Sequence, residues 1–130
     1  MTNLSKKIGV WAATVGALTV LLGAFGAHGL EKLVSGQALE TFETGVRYQM
    51  FHALALLGLA FGDRLSDKTR KTVLWLILLG ILFFSGSIYL LSLGEVLPFK
   101  VKFLGPITPV GGLLLMAAWV RLILGFRALK

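Results

Sequence analysis

Apolar residues occur along the chain in four blocks. Residues 8–27 and 72–93 carry no charge. At a rise of about 1.5 Å per residue, each block forms a helix long enough to cross a hydrocarbon core of about 30 Å. The block at residues 105–126 contains Arg121, whose long side chain can reach the membrane surface. Pro106 and Pro109 lie at its start, where a missing amide hydrogen is tolerated.

The second block, residues 44–62, is the most polar of the four. Residues 50–61 are apolar apart from His52 and are too few to cross a bilayer alone. A full span must begin near Thr44, which places Arg47 and Gln49 in its first two turns. We therefore expect a membrane helix with a polar outer end.

An amphipathic helical pattern precedes this block. Its apolar residues fall at positions i, i+1, i+4 and i+8, with charged residues between them; they are Ala38, Leu39, Phe42 and Val46. The pattern predicts either that the second helix begins near Gln37, or that a separate short helix lies along the membrane surface.

Composition supports a membrane protein with a single domain. Of the 130 residues, 56% are hydrophobic and 15% are charged, and the mean hydropathy is +0.84. Soluble domains carry about 25% charged residues. The net charge of +7 would suggest nucleic acid in a soluble protein, but here the basic residues separate apolar blocks. We therefore expect the lipid bilayer as partner and no nucleic acid.

The distribution of basic residues predicts the orientation. With four spans, one side of the membrane carries nine of them and the other carries four. The positive-inside rule places the richer side, with both chain termini, in the cytoplasm. The nine are Lys6, Lys7, Arg64, Lys68, Arg70, Lys71, Arg121, Arg127 and Lys130, and the four are Lys32, Arg47, Lys100 and Lys102.

The first block could also be a cleaved secretory signal, since Lys6 and Lys7 precede it. Signal cores have about 7–15 residues, fewer than this block. We therefore expect a retained first span in a cell inner membrane protein.

Small residues recur along one face of the first block at alternating steps of three and four. This 3.5-residue period keeps one face against a neighbour, and small side chains allow two backbones to approach closely. The pattern predicts a close helix partner in this chain or in a second copy. The residues are Gly9, Ala12, Gly16, Thr19, Gly23 and Gly26.

Polar residues inside the second and third blocks form helical stripes at a common depth. His52 lies about 12 Å below Thr44, and Ser85 about 12 Å below Leu93, from the helical rise. Residues near the ends of the other blocks face the same side of the membrane. The predicted cluster comprises His52, Arg47, Tyr48, Gln49, Ser85, Tyr89, His28 and Thr108.

Three interpretations of this cluster are open. The groups can hydrogen-bond one another and fix helix packing, or they can line a ligand or transport site in the outer leaflet. A Ser85–His52 pair could resemble a nucleophile and its base, but no acid lies at their depth. We assign no catalytic residue. With two histidines and no cysteine, we expect no metal site and no cofactor.

Four motifs in order resemble the family of small bacterial inner-membrane proteins that includes YgdD and YwdK. They are GAFGAHGL at residues 23–30, FETGVRYQMFHALALL at 42–57, FSGSIYL at 84–90 and GPITPVGG at 105–112. The resemblance implies a four-span protein and no particular activity. Ala118 departs from the pattern, where a glycine is expected before Trp119, and should loosen one helix contact.

The sequence thus predicts an all-α, polytopic transmembrane four-helix bundle that is structural or ligand-binding. A small transporter or channel component is the first alternative. Because one bundle of this size has little room for a pore, that alternative requires a homo-oligomer. An enzyme acting on lipid is the second alternative.

Overall fold

The computed structural model describes residues 1–130, and its regular structure is entirely helical. Four long helices follow one another: α1 at Asn3–His28, α2 at Gly36–Ala60, α3 at Asp67–Ser92 and α4 at Ile107–Arg127. Short 3-10 helices at Leu30–Lys32 and Lys102–Leu104 lie in the α1–α2 and α3–α4 connections. The predicted all-α fold with four helices is confirmed.

Hydroxyl side chains fix where three of the helices begin. Thr2, Ser35 and Ser66 have extended backbones and accept hydrogen bonds from the amides of residues 5, 38 and 69. Each hydroxyl thus satisfies one of the amides that a helix start leaves free. α4 begins instead after Pro106, whose side chain makes no capping bond.

The second helix is continuous from Gly36 and includes the amphipathic segment. The first of the two predictions for this segment is therefore confirmed. α2 ends at Ala60 and is followed by a turn at Phe61. The span predicted at residues 44–62 thus covers the second part of α2 and the two residues after it.

Three of the four helices are long and apolar enough to cross a membrane, counted with their adjoining 3-10 turns. They cover Asn3–Lys32, Asp67–Ser92 and Lys102–Arg127. α2 is not among them, since its first half carries Glu40, Glu43 and Arg47.

Successive helices are antiparallel neighbours, and we name the two ends of the molecule accordingly. The proximal end holds both chain termini and the α2–α3 connection; the distal end holds the other two connections. Cα atoms approach within 8 Å of one another between α1 and α2, between α2 and α3, and between α3 and α4. No Cα atom of α4 lies within 8 Å of one in α1 or α2.

The hydrophobic core lies in the proximal half and draws on all four helices. Its members are almost fully buried, and the polar cluster predicted from the sequence lies on its distal side. The core residues are Ile8, Ala12, Leu56, Leu59, Ala60, Leu65, Val73, Leu74, Ile77 and Ala118. Ala118 is fully buried, so the position where a glycine was expected is a packed one.

The small-residue face of α1 turns only partly toward the protein. Ala12, Thr19 and Gly26 are buried, whereas Gly9, Gly16 and Gly23 lie at the edge of the buried face. A Cβ atom added at Gly26 would lie 3.1 Å from the ring of Phe42, but one added at Gly16 would meet nothing within 4 Å. The prediction of a close partner, in this chain or in a second copy, therefore stays a prediction, and Gly16 has no close neighbour within the chain.

Candidate functional site

The polar side chains of α2 and α3 meet in the interior through direct hydrogen bonds. Gln49 is 5% exposed and accepts a bond of 2.6 Å from the hydroxyl of Tyr89. Its amide nitrogen donates across 3.4 Å to the carbonyl of Val15. One side chain of α2 thereby joins α1 and α3.

Gly45 allows the ring of Tyr89 to lie against α2. A Cβ atom at Gly45 would lie 2.7 Å from Cε1 of Tyr89, closer than van der Waals contact permits. The carbonyl of Gly45 also accepts a 2.8 Å hydrogen bond from Ser85, which is fully buried. This glycine, one turn before Gln49, therefore brings the polar faces of α2 and α3 together.

His52 is bonded on both ring nitrogens. Nδ1 lies 2.7 Å from the carbonyl of Tyr48, and Nε2 lies 3.1 Å from Nε1 of Trp119 in α4. A carbonyl only accepts and an indole nitrogen only donates. The bonds therefore assign a neutral imidazole that carries its hydrogen on Nδ1.

Thr108 forms a separate polar pair with a residue of α3. Its hydroxyl is hydrogen-bonded to that of Ser87, which also donates across 3.0 Å to the carbonyl of Phe84. This pair connects the start of α4 to the last turns of α3. It makes no bond to His52 or Gln49.

The remaining predicted site residues lie at the surface. Arg47 and His28 are exposed, and the ring of Tyr48 is 42% exposed beside Phe84. Arg47 lines a shallow cavity of about 290 Å³ with Glu43 and residues at the end of α1. The structure therefore separates the eight residues into a bonded interior group and an exposed group.

None of the five principal cavities lies among the interior residues. The five principal cavities are at the two ends of the molecule and include none of Gln49, His52, Ser85 or Tyr89. Every buried side-chain nitrogen and oxygen has a hydrogen-bond partner. The geometry thus favours the interpretation in which these groups fix helix packing.

The arrangement provides no catalytic pair. Ser85 donates its hydrogen to the carbonyl of Gly45, and His52 bonds Tyr48 and Trp119, so the two side chains are not bonded to each other. A serine nucleophile requires an adjacent base. No group of three histidine, cysteine or acidic residues has the spacing to hold a metal ion.

Sequence reasoning missed a second polar centre at the proximal end, built on Arg70. This side chain is 1% exposed and has no carboxylate among its bonding partners. Nη2 donates to Ser5 Oγ at 2.7 Å and to the carbonyls of Leu59 and Ala60 at 3.0 Å each. Arg70 thereby joins the start of α1, the end of α2 and the start of α3.

The partners of Arg70 explain how a buried cation is accommodated. The last carbonyls of a helix carry partial negative charge and lack partners inside the helix. The guanidinium satisfies two of them at the end of α2. A signal for this role exists in the sequence, because Arg70 precedes the buried Val73, Leu74 and Ile77 at helical spacing.

Comparison with known proteins identifies the family. A family described as "Protein of unknown function (DUF423)" matches residues 22–112, which is more than half of the chain. The chain belongs to this family. The match includes α2, α3 and the bonded interior polar side chains described above except Ser5 and Trp119.

Curated relatives are similar over most of their length. The UPF0382 membrane protein YwdK of Bacillus subtilis is 44% identical over 108 residues, covering 82% of this chain and 84% of that protein. A UPF0382 membrane protein of Staphylococcus saprophyticus is 39% identical, covering 85% of this chain and 92% of that protein. The UPF0382 inner membrane protein YgdD of Escherichia coli is 36% identical, covering 97% and 93%.

These relatives confirm the predicted family and show that the chain is an integral membrane protein whose molecular function is unknown. No solved structure matches.

Proposed function

We propose that the chain crosses the membrane four times, with α2 as a span and the proximal end in the cytoplasm. α2 packs between α1 and α3. Its outward face carries Phe51, Leu54 and Leu57, which are 44–58% exposed, as expected for side chains that contact lipid. The charged first half then lies at the distal membrane surface, where the positive-inside rule places fewer basic residues.

Cysteine labelling tests this topology, because the chain has no cysteine of its own. Asp63→Cys lies in the exposed α2–α3 connection, and Gln37→Cys lies in the first turn of α2. In intact cells a membrane-impermeant maleimide should label Gln37→Cys alone, and Asp63→Cys only after lysis. Labelling of both from outside would contradict the four-span arrangement.

The molecular function with the best support is a structural one, in which the protein acts through its lipid-facing surface and through its proximal and distal ends. The observation that carries this proposal is the complete pairing of the buried polar side chains. A transport or ligand site in the interior would need groups free to bind a solute, whereas these groups bind one another. None of the five principal cavities of the single chain runs along its length.

The test separates packing from ligand binding. Ser85→Ala removes the hydroxyl that bonds the carbonyl of Gly45 and leaves the helix surface almost unchanged. The test uses a strain from which the gene for this protein has been deleted. When the strain expresses the Ser85→Ala variant, it should match wild type in competitive growth. A folded Ser85→Ala protein that fails to complement the deletion, or saturable solute flux through reconstituted wild-type protein, would contradict the structural function.

A further inference from the structure

A cavity at the proximal end has the chemistry of an anion site. It measures about 290 Å³ and lies between the start of α3 and the end of α4. The lining residues are Arg64, Ser66, Thr69, Arg121, Gly125, Ala128 and Leu129. Two arginines, two hydroxyls and one apolar wall thus surround a space large enough for a small polar group.

Charge distinguishes this cavity from the other four. Each of those includes a carboxylate: Asp63 at the other proximal cavity, Glu95 at two distal cavities, and Glu43 beside Arg47. The cavity of Arg64 and Arg121 has no acidic residue in its lining. Guanidinium groups without a carboxylate partner favour a bound anion.

The start of α3 adds donors to the two cations. Ser66 donates across 2.9 Å to the hydroxyl oxygen of Thr69 and accepts from its amide, so the Thr69 hydroxyl keeps its own hydrogen for another acceptor. Thr69 is 3% exposed. The positive end of the α3 dipole lies at the same place. Asp67 also lies in this first turn but does not line the cavity.

The end of α4 closes the cavity from the other side. Gly125 is buried, and a Cβ atom there would lie 2.9 Å from Cγ2 of Thr69. This close contact holds the hydroxyls of α3 beside the side chain of Arg121, one turn earlier on α4. Leu129 is 40% exposed and provides an apolar surface next to the charged groups.

We propose that this cavity binds the phosphate group of an anionic phospholipid from the adjoining leaflet. Phosphate offers several acceptor oxygens to guanidinium and hydroxyl donors. A lipid source is favoured over a soluble anion because the cavity lies at the end of membrane helices and includes Leu129. The proposal requires the membrane location of the chain, but not the orientation given above.

Native mass spectrometry of the delipidated protein in detergent tests the site, with phosphatidylglycerol and phosphatidylethanolamine as probes. Arg64→Gln and the double variant Arg64→Gln/Arg121→Gln should weaken phosphatidylglycerol binding, the double variant by about tenfold or more. Arg64 is exposed, so the single variant leaves the core intact. Phosphatidylethanolamine should bind more weakly than phosphatidylglycerol to wild type and respond little to either change.

A matched control removes the same charge from the same end. Arg127→Gln/Lys130→Gln changes two exposed cations outside the cavity and should alter binding by less than about twofold. An equal loss in both double variants would overturn the site, because it would show a diffuse attraction to basic residues. Displacement of phosphatidylglycerol by millimolar inorganic phosphate would overturn the lipid assignment.

Discussion

The α3–α4 hairpin brings two helix backbones into contact, whereas side chains separate the backbones of the α1–α2 hairpin. A Cβ atom at Gly111 in α4 would lie 2.2 Å from the backbone nitrogen of Phe84 in α3. Along α1, added Cβ atoms at Gly9, Gly23 and Gly26 would meet only side chains, at 3.1–3.8 Å. The α3–α4 hairpin, whose helices contain fewer glycines than α1 and α2, thus has the more closely packed backbones.

The comparison shows that a small residue allows a close approach without requiring it. The buried face of α4 repeats at steps of 4, 3, 4 and 3, the same period as the small-residue face of α1. It combines glycine with larger residues, so that Leu115 packs against Gly80 of α3 where its own backbone is close. The face comprises Gly111, Leu115, Ala118, Leu122 and Gly125.

Polar bonds, in contrast, connect the two hairpins to each other. Gln49 and Tyr89 join α2 to α3 near the distal half, Arg70 does so at the proximal end, and Trp119 reaches from α4 to His52. Backbone contact at glycine thus characterises the α3–α4 hairpin, whereas hydrogen bonds, together with the contact of Gly45 with Tyr89, join the two hairpins. The variants below test this division.

Gly111→Ala should have the largest effect. The added methyl group must push α3 and α4 apart, and overpacking of this kind costs about 1–3 kcal/mol or more. Because the clash is with backbone atoms, we expect a loss of about 3 kcal/mol in the free energy of unfolding. Unfolding by SDS in mixed micelles measures it.

Gly16→Ala is the matched control in the other hairpin. Its Cβ would meet nothing within 4 Å, and alanine favours a helix over glycine by about 1 kcal/mol. The variant should be as stable as wild type or more stable. A large loss of stability in Gly16→Ala with none in Gly111→Ala would contradict the comparison. It would also indicate that a partner chain packs on this face of α1.

Arg70→Ala should be next, at about 2 kcal/mol. The change leaves the carbonyl of Ala60 without its donor and removes a donor from the carbonyl of Leu59 and from Ser5 Oγ. An unpaired buried group costs about 1–3 kcal/mol. Lys71→Ala removes an equal charge from the next, exposed residue and controls for effects on membrane insertion. Equal losses in the two variants would show that charge, and not the bonded guanidinium, stabilises the junction between hairpins.

The arginine also shows what sequence could reveal and what it could not. Polar residues inside an apolar block, such as His52 and Ser85, are conspicuous, and their common depth follows from helical rise alone. Arg70 stands at the edge of a block among other basic residues, where it resembles a loop cation. Its helical spacing to Val73 places it on the buried face of α3, but its hydrogen-bond partners depend on where α2 ends, which is a tertiary property.

The same limit applies to the three interpretations of the polar cluster. Helical rise placed His52 and Ser85 at one depth, and the structure bonds them to different groups: His52 to Trp119, and Ser85 to a carbonyl of α2. Depth cannot decide whether polar groups face one another or an empty space. Trp119 was overlooked as a donor because an indole in an apolar block resembles any other aromatic residue.

A double-mutant cycle on Gln49 and Tyr89 should give a smaller, specific effect. Gln49→Leu and Tyr89→Phe each remove one partner of the 2.6 Å bond. Hydrogen bonds between membrane helices contribute about 0.6–1.7 kcal/mol in such cycles, so we expect a coupling of about 1 kcal/mol. Gln49→Leu with Tyr48→Phe is the control and should be additive, since Tyr48 does not bond Gln49 through its hydroxyl.

Trp119→Phe should have the smallest effect and reports on the one hydrogen bond between α2 and α4. It removes the donor to His52 Nε2 and keeps an aromatic ring beside the imidazole, whose centroid lies 5.9 Å from the indole. The free energy of unfolding should fall by about 0.6 kcal/mol, the average for such bonds in membranes. Trp11→Phe, on the outer face of α1, should leave stability unchanged.

The size of the Trp119→Phe effect also decides how His52 is held. Nδ1 keeps its bond to Tyr48 in this variant, so the ring should stay in place. Nε2 should lose only the hydrogen bond that it accepts from Trp119. His52→Gln removes both ring contacts and should cost more than Trp119→Phe, because an amide must reach Tyr48 and Trp119 from a different geometry. If Trp119→Phe lowered the free energy of unfolding as much as His52→Gln, the hydrogen bond from Trp119 would account for the whole contribution of His52. This bond between the hairpins would then be stronger than an average hydrogen bond between membrane helices.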